Sequence, residues 1–287
     1  MNNERQNCGC WLSEMIAPCR IAGLVDSIRR MLARLTATQF IRNMTSGKTA
    51  PLLCGCADQT GRNNGEFVVK FLSAKGALFE LLGSRLANHF GILVPEPAAV
   101  QVEQEFADVV NERLCQQTPP RKVGAGLNFG SRVVNPMTTW LVNRVIPEAM
   151  FRDAVNIFAF DALVQNPDRR VANPNLFTQG DSIYVYDHEE TSFSFLLALS
   201  PSTEPWNLEG EMYLEDHVFY SRLRAKEIDL KDFGQSLKAL TGEVLTGIRE
   251  EVPQEWAHED LERIEGHLMK VQKNADKFVE QVRRRLA

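Results

Sequence analysis

The sequence predicts an α+β fold in two lobes, a small strand-rich N-lobe followed by a mainly helical C-lobe. Three observations carry this reading. FVVKFL (Phe67–Leu72) alternates with the period of a strand, whereas the stripes after residue 148 repeat with the period of a helix. Between them, the stretch from Thr118 to Asn135 is rich in Pro, Gly, Asn and Ser, as a connection between lobes should be. At 287 residues, with 44% apolar and 24% charged side chains, the chain resembles an ordinary globular protein with a large core.

Taken in order, Ile21, Leu24, Val25, Ile28, Leu32 and Leu35 recur at helical spacing, with Arg20, Arg29, Arg30 and Arg34 off the stripe. A basic amphipathic helix is expected there, within an N-terminal extension covering residues 1–35. The N-lobe is expected over 36–115. It holds the 67–72 strand, then a helix from Ala77 to Phe90 stopped by Gly91, then one or two strands within VPEPAAVQVEQEFADVVN. The C-lobe is expected over 116–287. It opens with a helix over Met150–Val164, followed by a polar loop and a hairpin in NLFTQGDSIYVYD with its turn at Gln-Gly-Asp. FSFLLAL (Phe193–Leu199) reads as a buried segment. Helical stripes then carry Phe233, Leu237, Leu240, Val244 and Leu245, and later Leu261, Ile264, Leu268 and Val271. Arg283, Arg284 and Arg285 suit the last turn of a helix, where the dipole favours cations.

Several function classes are disfavoured. A net charge of -5 and a pI near 5.7 supply no general attraction to nucleic acid. No apolar run approaches the roughly 18 residues of a membrane-spanning helix, and MNNERQNCGC lacks a secretory pattern, so a cytoplasmic protein is expected. Six cysteines are too few for a disulfide scaffold. The pairs Cys8/Cys10 and Cys54/Cys56 miss the usual zinc spacing and read as incidental thiols. Gly47-Lys48-Thr49 is no Walker A loop, because Arg42 stands where its first glycine should be; Gly124, Gly126 and Gly130 miss the dinucleotide-binding spacing by one.

Five residues in order match the parts that phosphoryl transfer from ATP requires. Lys70 on a strand can aim an ammonium at phosphates, and Glu80 on the following helix can hold it. Asp168 and Asn173 have the Asp-x4-Asn spacing of a catalytic loop, with the carboxylate facing a hydroxyl and the amide facing a metal. Asp187, just past a strand, would supply a second metal ligand. Each has an ordinary alternative: a solvated lysine, a surface glutamate, a turn made by Asp-Arg and Asn-Pro. Asp161 and Asp153 read as structural carboxylates on the helix entering the loop, and His188 as a residue orienting Asp187 by hydrogen bonding.

On these residues the chain resembles the HipA-like kinases, in their short single-chain branch. TSGKTAPLL (Thr45–Leu53) is similar to the family's phosphate loop, FVVKF to its lysine strand, ELLGSRLANHFGILVPEP to its first helix and turn, and NFGS (Asn128–Ser131) to a segment between the lobes. FDALVQNPDRRVANPNLF and YVYDHEETSF resemble its catalytic and metal-binding loops. The resemblance implies a two-lobed protein-kinase-like fold, distantly similar to phosphatidylinositol kinases, that transfers phosphoryl from Mg-ATP to serine or threonine of an unidentified protein substrate. It implies Lys70, Glu80, Ser46 and Gly47 at the nucleotide, Asp168 as the catalytic carboxylate, and Asn173 and Asp187 as magnesium ligands. It also raises a toxin-type growth-regulating role with an antitoxin-like partner, and Ser46 as an autophosphorylation site. The sequence departs from the family at Arg170, where histidine is frequent, and in a phosphate loop poorer in glycine and serine. Two other readings stay open: a catalytically weak ATP-binding interaction module, and a kinase for a lipid or small molecule.

Overall fold

A computed structural model describes residues 31–44, 51–116, 121–141, 144–189, 191 and 203–287. Five strands close into a barrel in the order β1-β2-β3-β5-β4. They are β1 (Ala33–Asn43), β2 (Leu52–Ala57), β3 (Asn63–Lys70), β4 (Pro97–Val102) and β5 (Gly126–Arg132). Neighbours run antiparallel except β1 and β4, whose parallel pairing of Leu35 with Val100 shuts the ring. The barrel is filled by alternating inward side chains, among them Leu35, Leu52, Cys54, Cys56, Phe67, Val69, Ala98 and Val100. Gly130 sits on β5 because a side chain there has no room: a Cβ would lie 2.6 Å from Val100 Cγ2.

Two expectations are corrected here, and a third, one or two strands in 94–111, is met by one strand. Ala33, Arg34 and Leu35 do not continue a helix, because their backbone pairs with Ala98, Ala99 and Val100, so the strand-rich part begins before residue 36. The segment 94–111 gives one strand, then helix α2 (Gln104–Leu114), whose Ala107, Val110 and Leu114 pack under the barrel. The polar stretch 118–135 contains β5, so the barrel extends past the expected boundary at 115 to Arg132. Burial on both faces, rather than alternation, is what hides β5. The earlier part of the expected amphipathic helix, Cys8, Cys10 and FSFLLAL lie outside the described residues.

Helix α1 (Ala74–His89) leaves the barrel after β3. Ser73 caps it, its side chain accepting from the Gly76 amide at 3.2 Å. Helix α3 (Glu148–Leu163) is buried all round over its second half, from Ile157 to Leu163. Beside it stands a three-stranded sheet in the order β6-β7-β8, made of Thr138–Thr139, Leu176–Gln179 and Ser182–Val185. A short helix α4 (Tyr220–Leu223) precedes α5 (Lys231–Ala239), α6 (Gly242–Glu250), α7 (Asp260–Lys273) and α8 (Ala275–Leu286), which enclose α1 and α3.

Polar ties fix α1 against this helical half. Arg85 donates to Glu251 at 2.6 Å with both side chains about nine-tenths buried, Lys75 pairs with the buried Asp260 at 2.7 Å, and His89 Nε2 meets the Ser236 carbonyl at 2.8 Å. The Trp256 indole donates to the Leu127 carbonyl of β5 at 3.2 Å. Among the described residues, no helix is long and apolar enough to cross a membrane.

Candidate active site

Strand β3 ends at Lys70 inside the fold, and α1 presents Glu80 two turns from its start. Both side chains are buried, and the Lys70 ammonium bonds Glu80 Oε1 directly. The same ammonium reaches Asp187 Oδ1 at 2.5 Å, a partner 117 residues away. Burial alone would lower the Lys70 pKa, but the charges of Glu80 and Asp187 outweigh it and raise the ammonium above the ordinary lysine value. Glu80 is raised by complete burial, which Lys70 only partly offsets. Burial also pushes Asp187 upward, yet the adjacent ammonium wins and holds it low. The lysine therefore stays charged between two carboxylates, the more exposed of which keeps its charge more readily.

Asp187 adopts φ 63°, in the left-handed region, which costs a non-glycine residue on the order of 1 kcal/mol or more and turns the chain sharply after β8. The turn is held by Glu80, whose Oε2 accepts the His188 amide at 3.2 Å. The His188 ring does not orient Asp187 by hydrogen bonding, as expected from sequence. It is packed edge-on to Phe160 and against Gly83 of α1, and complete burial lowers its pKa to about 3, so it is a neutral wedge between helix and loop. Gly83 makes this approach possible: a Cβ there would lie 2.4 Å from His188 Cβ.

The loop after α3 brings Asp168 and Asn173 together. Asn173 Nδ2 donates to Asp168 Oδ2 at 2.7 Å, Asn175 Nδ2 donates to the same oxygen at 3.2 Å, and Arg170 approaches Oδ1 at 3.3 Å. The Asp168 amide donates to Asn166 Oδ1 at 3.1 Å. Beneath this loop Asp161 is wholly buried and accepts from Arg169 Nε at 2.6 Å, Asn166 Nδ2 at 2.8 Å and His217 Nε2 at 2.9 Å. Burial pushes the Asp161 carboxyl upward, but the Arg169 guanidinium more than compensates and holds it below the usual range. His217 Nδ1 accepts the Phe219 amide at 3.2 Å, which fixes a neutral ring protonated on Nε2, and burial lowers its pKa. Asp161 is thus structural, as read from sequence; Asp153 lies half-buried earlier on the same helix.

The two pairs share one framework. Arg169 Nη1 donates to the Asn175 carbonyl at 2.7 Å and to the Tyr186 carbonyl at 3.3 Å, and the Tyr186 amide donates to the Asn175 carbonyl at 3.2 Å. The loop carrying Asp168 is therefore bonded to the residue preceding Asp187. Glu189 adds a third acid: one carboxylate oxygen each from Glu80, Asp187 and Glu189 lie within 4.8 Å of one another. Such an all-oxygen set suits a hard divalent cation. Sequence reasoning missed Glu189, Arg169, Asn175 and His217. The DHE run and the Asp-Arg pair were the available signals, but both look like solvated charges in one dimension. Ser46 and Gly47 lie outside the described residues.

No curated protein matches the chain in sequence. Among solved structures, the Helicobacter pylori proinflammatory kinase CtkA is similar with 12% identity and a TM-score of 0.48, over 88% of this chain and 98% of its own. The Golgi casein kinase with Mn/ADP bound is similar with 11% identity and a TM-score of 0.43, over 91% of this chain and 75% of its own. A sequence profile of the HipA-like kinases matches residues 37–284. That match takes in most of the barrel, both loops and nearly all of the C-terminal helices, and the chain belongs to the HipA-like kinase family.

Proposed function

We propose that this kinase transfers the γ-phosphoryl group of Mg-ATP to a serine or threonine hydroxyl of a protein. The observation that carries the reading is the Lys70 ammonium held at once by Glu80 and by Asp187, 117 residues away, next to a loop in which Asp168 is polarised by Asn173. Lys70 is the phosphate-binding cation, positioned by Glu80. Asp168 faces the acceptor hydroxyl, orients its oxygen toward the γ-phosphorus and takes its proton as the bond to the β–γ bridging oxygen breaks. Asn173 and Asp187 would hold magnesium, which when bound offsets phosphate charge. Ser46 and Gly47 belong to the phosphate loop, and the nucleotide-binding half extends from the barrel's first strand to Arg132.

The reading also takes in a cytoplasmic setting, where ATP and reduced thiols are available. A growth-regulating role with a neutralising partner is supported by family membership alone. The direct test is Asp168→Asn. The variant should bind ATP and magnesium as the wild type does and transfer label to protein at least about 100-fold more slowly, the usual scale for losing a positioned base. Transfer at an undiminished rate would exclude the role of Asp168; label recovered in an organic extract rather than in protein bands would move the acceptor to a lipid.

A further inference from the structure

Arg169 is the side chain for which the transfer scheme has no use, yet it is among the most constrained in the molecule. It follows Asp168 directly, and its side chain has no solvent exposure. A long cation is almost never placed so unless its charge is paired and most of its donors are used; here Nε and Nη1 are bonded and Nη2 has no partner. Its pairing partner is the equally inaccessible Asp161. Its remaining bonds are the informative ones, because they go to main-chain carbonyls in two separate segments. One belongs to Asn175, which closes the loop bearing Asp168 and Asn173, and the other to Tyr186, the residue before Asp187. The backbone of Arg169 adds a third anchor, its carbonyl accepting the Val218 amide at 3.0 Å next to His217, which itself binds Asp161.

We propose that Arg169 is a positioning residue that locks the loop of Asp168 to the segment of Asp187, with Asp161 as the buried counter-charge that keeps the guanidinium aimed at both carbonyls. This inference rests on the phosphoryl-transfer reading for its kinetic consequences but not for its structural ones. A guanidinium is suited to the task where an ammonium is not. Its planar fork sends Nε to the carboxylate and Nη1 to the carbonyls at the same time, whereas a lysine places one nitrogen at one point. An ion pair serving only stability would be replaceable by neutral side chains of similar volume with little loss. A device that sets the distance between two loops would not.

The experiment uses the full-length chain with Arg169→Lys, with Asp161→Asn and with the neutral pair Asp161→Asn/Arg169→Met, beside wild type and Asp168→Asn. Arg169→Lys keeps the charge opposite Asp161 and loses the carbonyl contacts. It should stay folded but melt below the wild type, as buried carbonyls lose their donor, retain its KM for ATP within about three-fold and lose about 100-fold in kcat, the scale of a misplacement near 1 Å. The neutral pair should recover stability relative to Asp161→Asn alone without recovering kcat. Amide hydrogen exchange supplies a readout independent of turnover: in folded Arg169→Lys, exchange should rise in both 166–175 and 184–189. Faster exchange in the first segment only, or a kcat that returns with the melting temperature, overturns the coupling. If wild type transfers no phosphoryl group while both segments loosen together, the catalytic reading fails and the coupling stands.

Discussion

Gly83→Ala should weaken the protein and its catalysis together, although alanine is the better helix former. In an unconstrained helix interior the change would add about 1 kcal/mol of stability. Here the new Cβ would fall 2.4 Å from His188 Cβ and 2.5 Å from its Cγ, and the first of these is fixed by the backbone whatever the rotamer. Reaching ordinary contact requires α1 and the 187–189 segment to part by about 1 Å, an overpacking cost near the upper end of about 1–3 kcal/mol. The net loss is about 2 kcal/mol, which lowers the melting temperature by roughly 4–8 °C for a chain of this size. The same 1 Å separates Glu80 from the His188 amide it holds and draws Asp187 from Lys70, so kcat should fall about 100-fold. Differential scanning calorimetry and a labelled-ATP transfer assay measure the two effects. A variant that melts higher than wild type with unaltered kcat would refute the contact between α1 and His188 as the reason for glycine.

Two further outcomes follow from burial. His89 and His267 both have pKa values lowered by burial, while their rings meet the carbonyls of Ser236 and Leu163. A depressed folded pKa means the unfolded chain binds protons first, so this part of the stability is complete above the ordinary imidazole value of 6.5 and is lost as pH falls below it toward the folded values. Melting temperature should therefore decline from about pH 7 to about pH 5, and His267→Gln should flatten the decline; an unchanged slope would show that His267 does not contribute to it. Cys54 and Cys56 lie in the barrel with thiols pushed up to about 12 by burial, whereas Cys115 is exposed. Alkylation near pH 8 followed by mass spectrometry should modify Cys115 and spare the barrel pair until the protein is denatured.

Local chemistry was legible where one short segment holds the whole unit. Asp168 and Asn173 lie five residues apart and bond each other, the hairpin turn falls where Gln-Gly-Asp placed it, and α1 follows its apolar stripe with an earlier start set by the Ser73 cap. What stayed hidden was burial that erases periodicity. Strand β5 carries Asn, Gly and Ser although it is a wall of the barrel, and its Gly130 is a packing requirement that resembles a loop signal. Arg169 is the sharper case, since an arginine beside an aspartate and another arginine reads as a solvated turn. Only the long-range return of α3 and β8 converts it into a buried hub. His188 failed for the converse reason: its neighbour in sequence suggested a partner, whereas its neighbours in space are Phe160 and Gly83.

The left-handed backbone at Asp187 means that mutational tolerance there is filtered twice. Glycine takes that conformation freely and aspartate and asparagine tolerate it at a modest cost, whereas a branched or bulky residue is penalised more heavily whatever its chemistry. In a saturation library selected for function, most codons at this site would be purged by chain geometry. The contrast between Asp187→Asn and Asp187→Gly, both compatible with the turn, would separate the loss of charge alone from the loss of the oxygen donor as well.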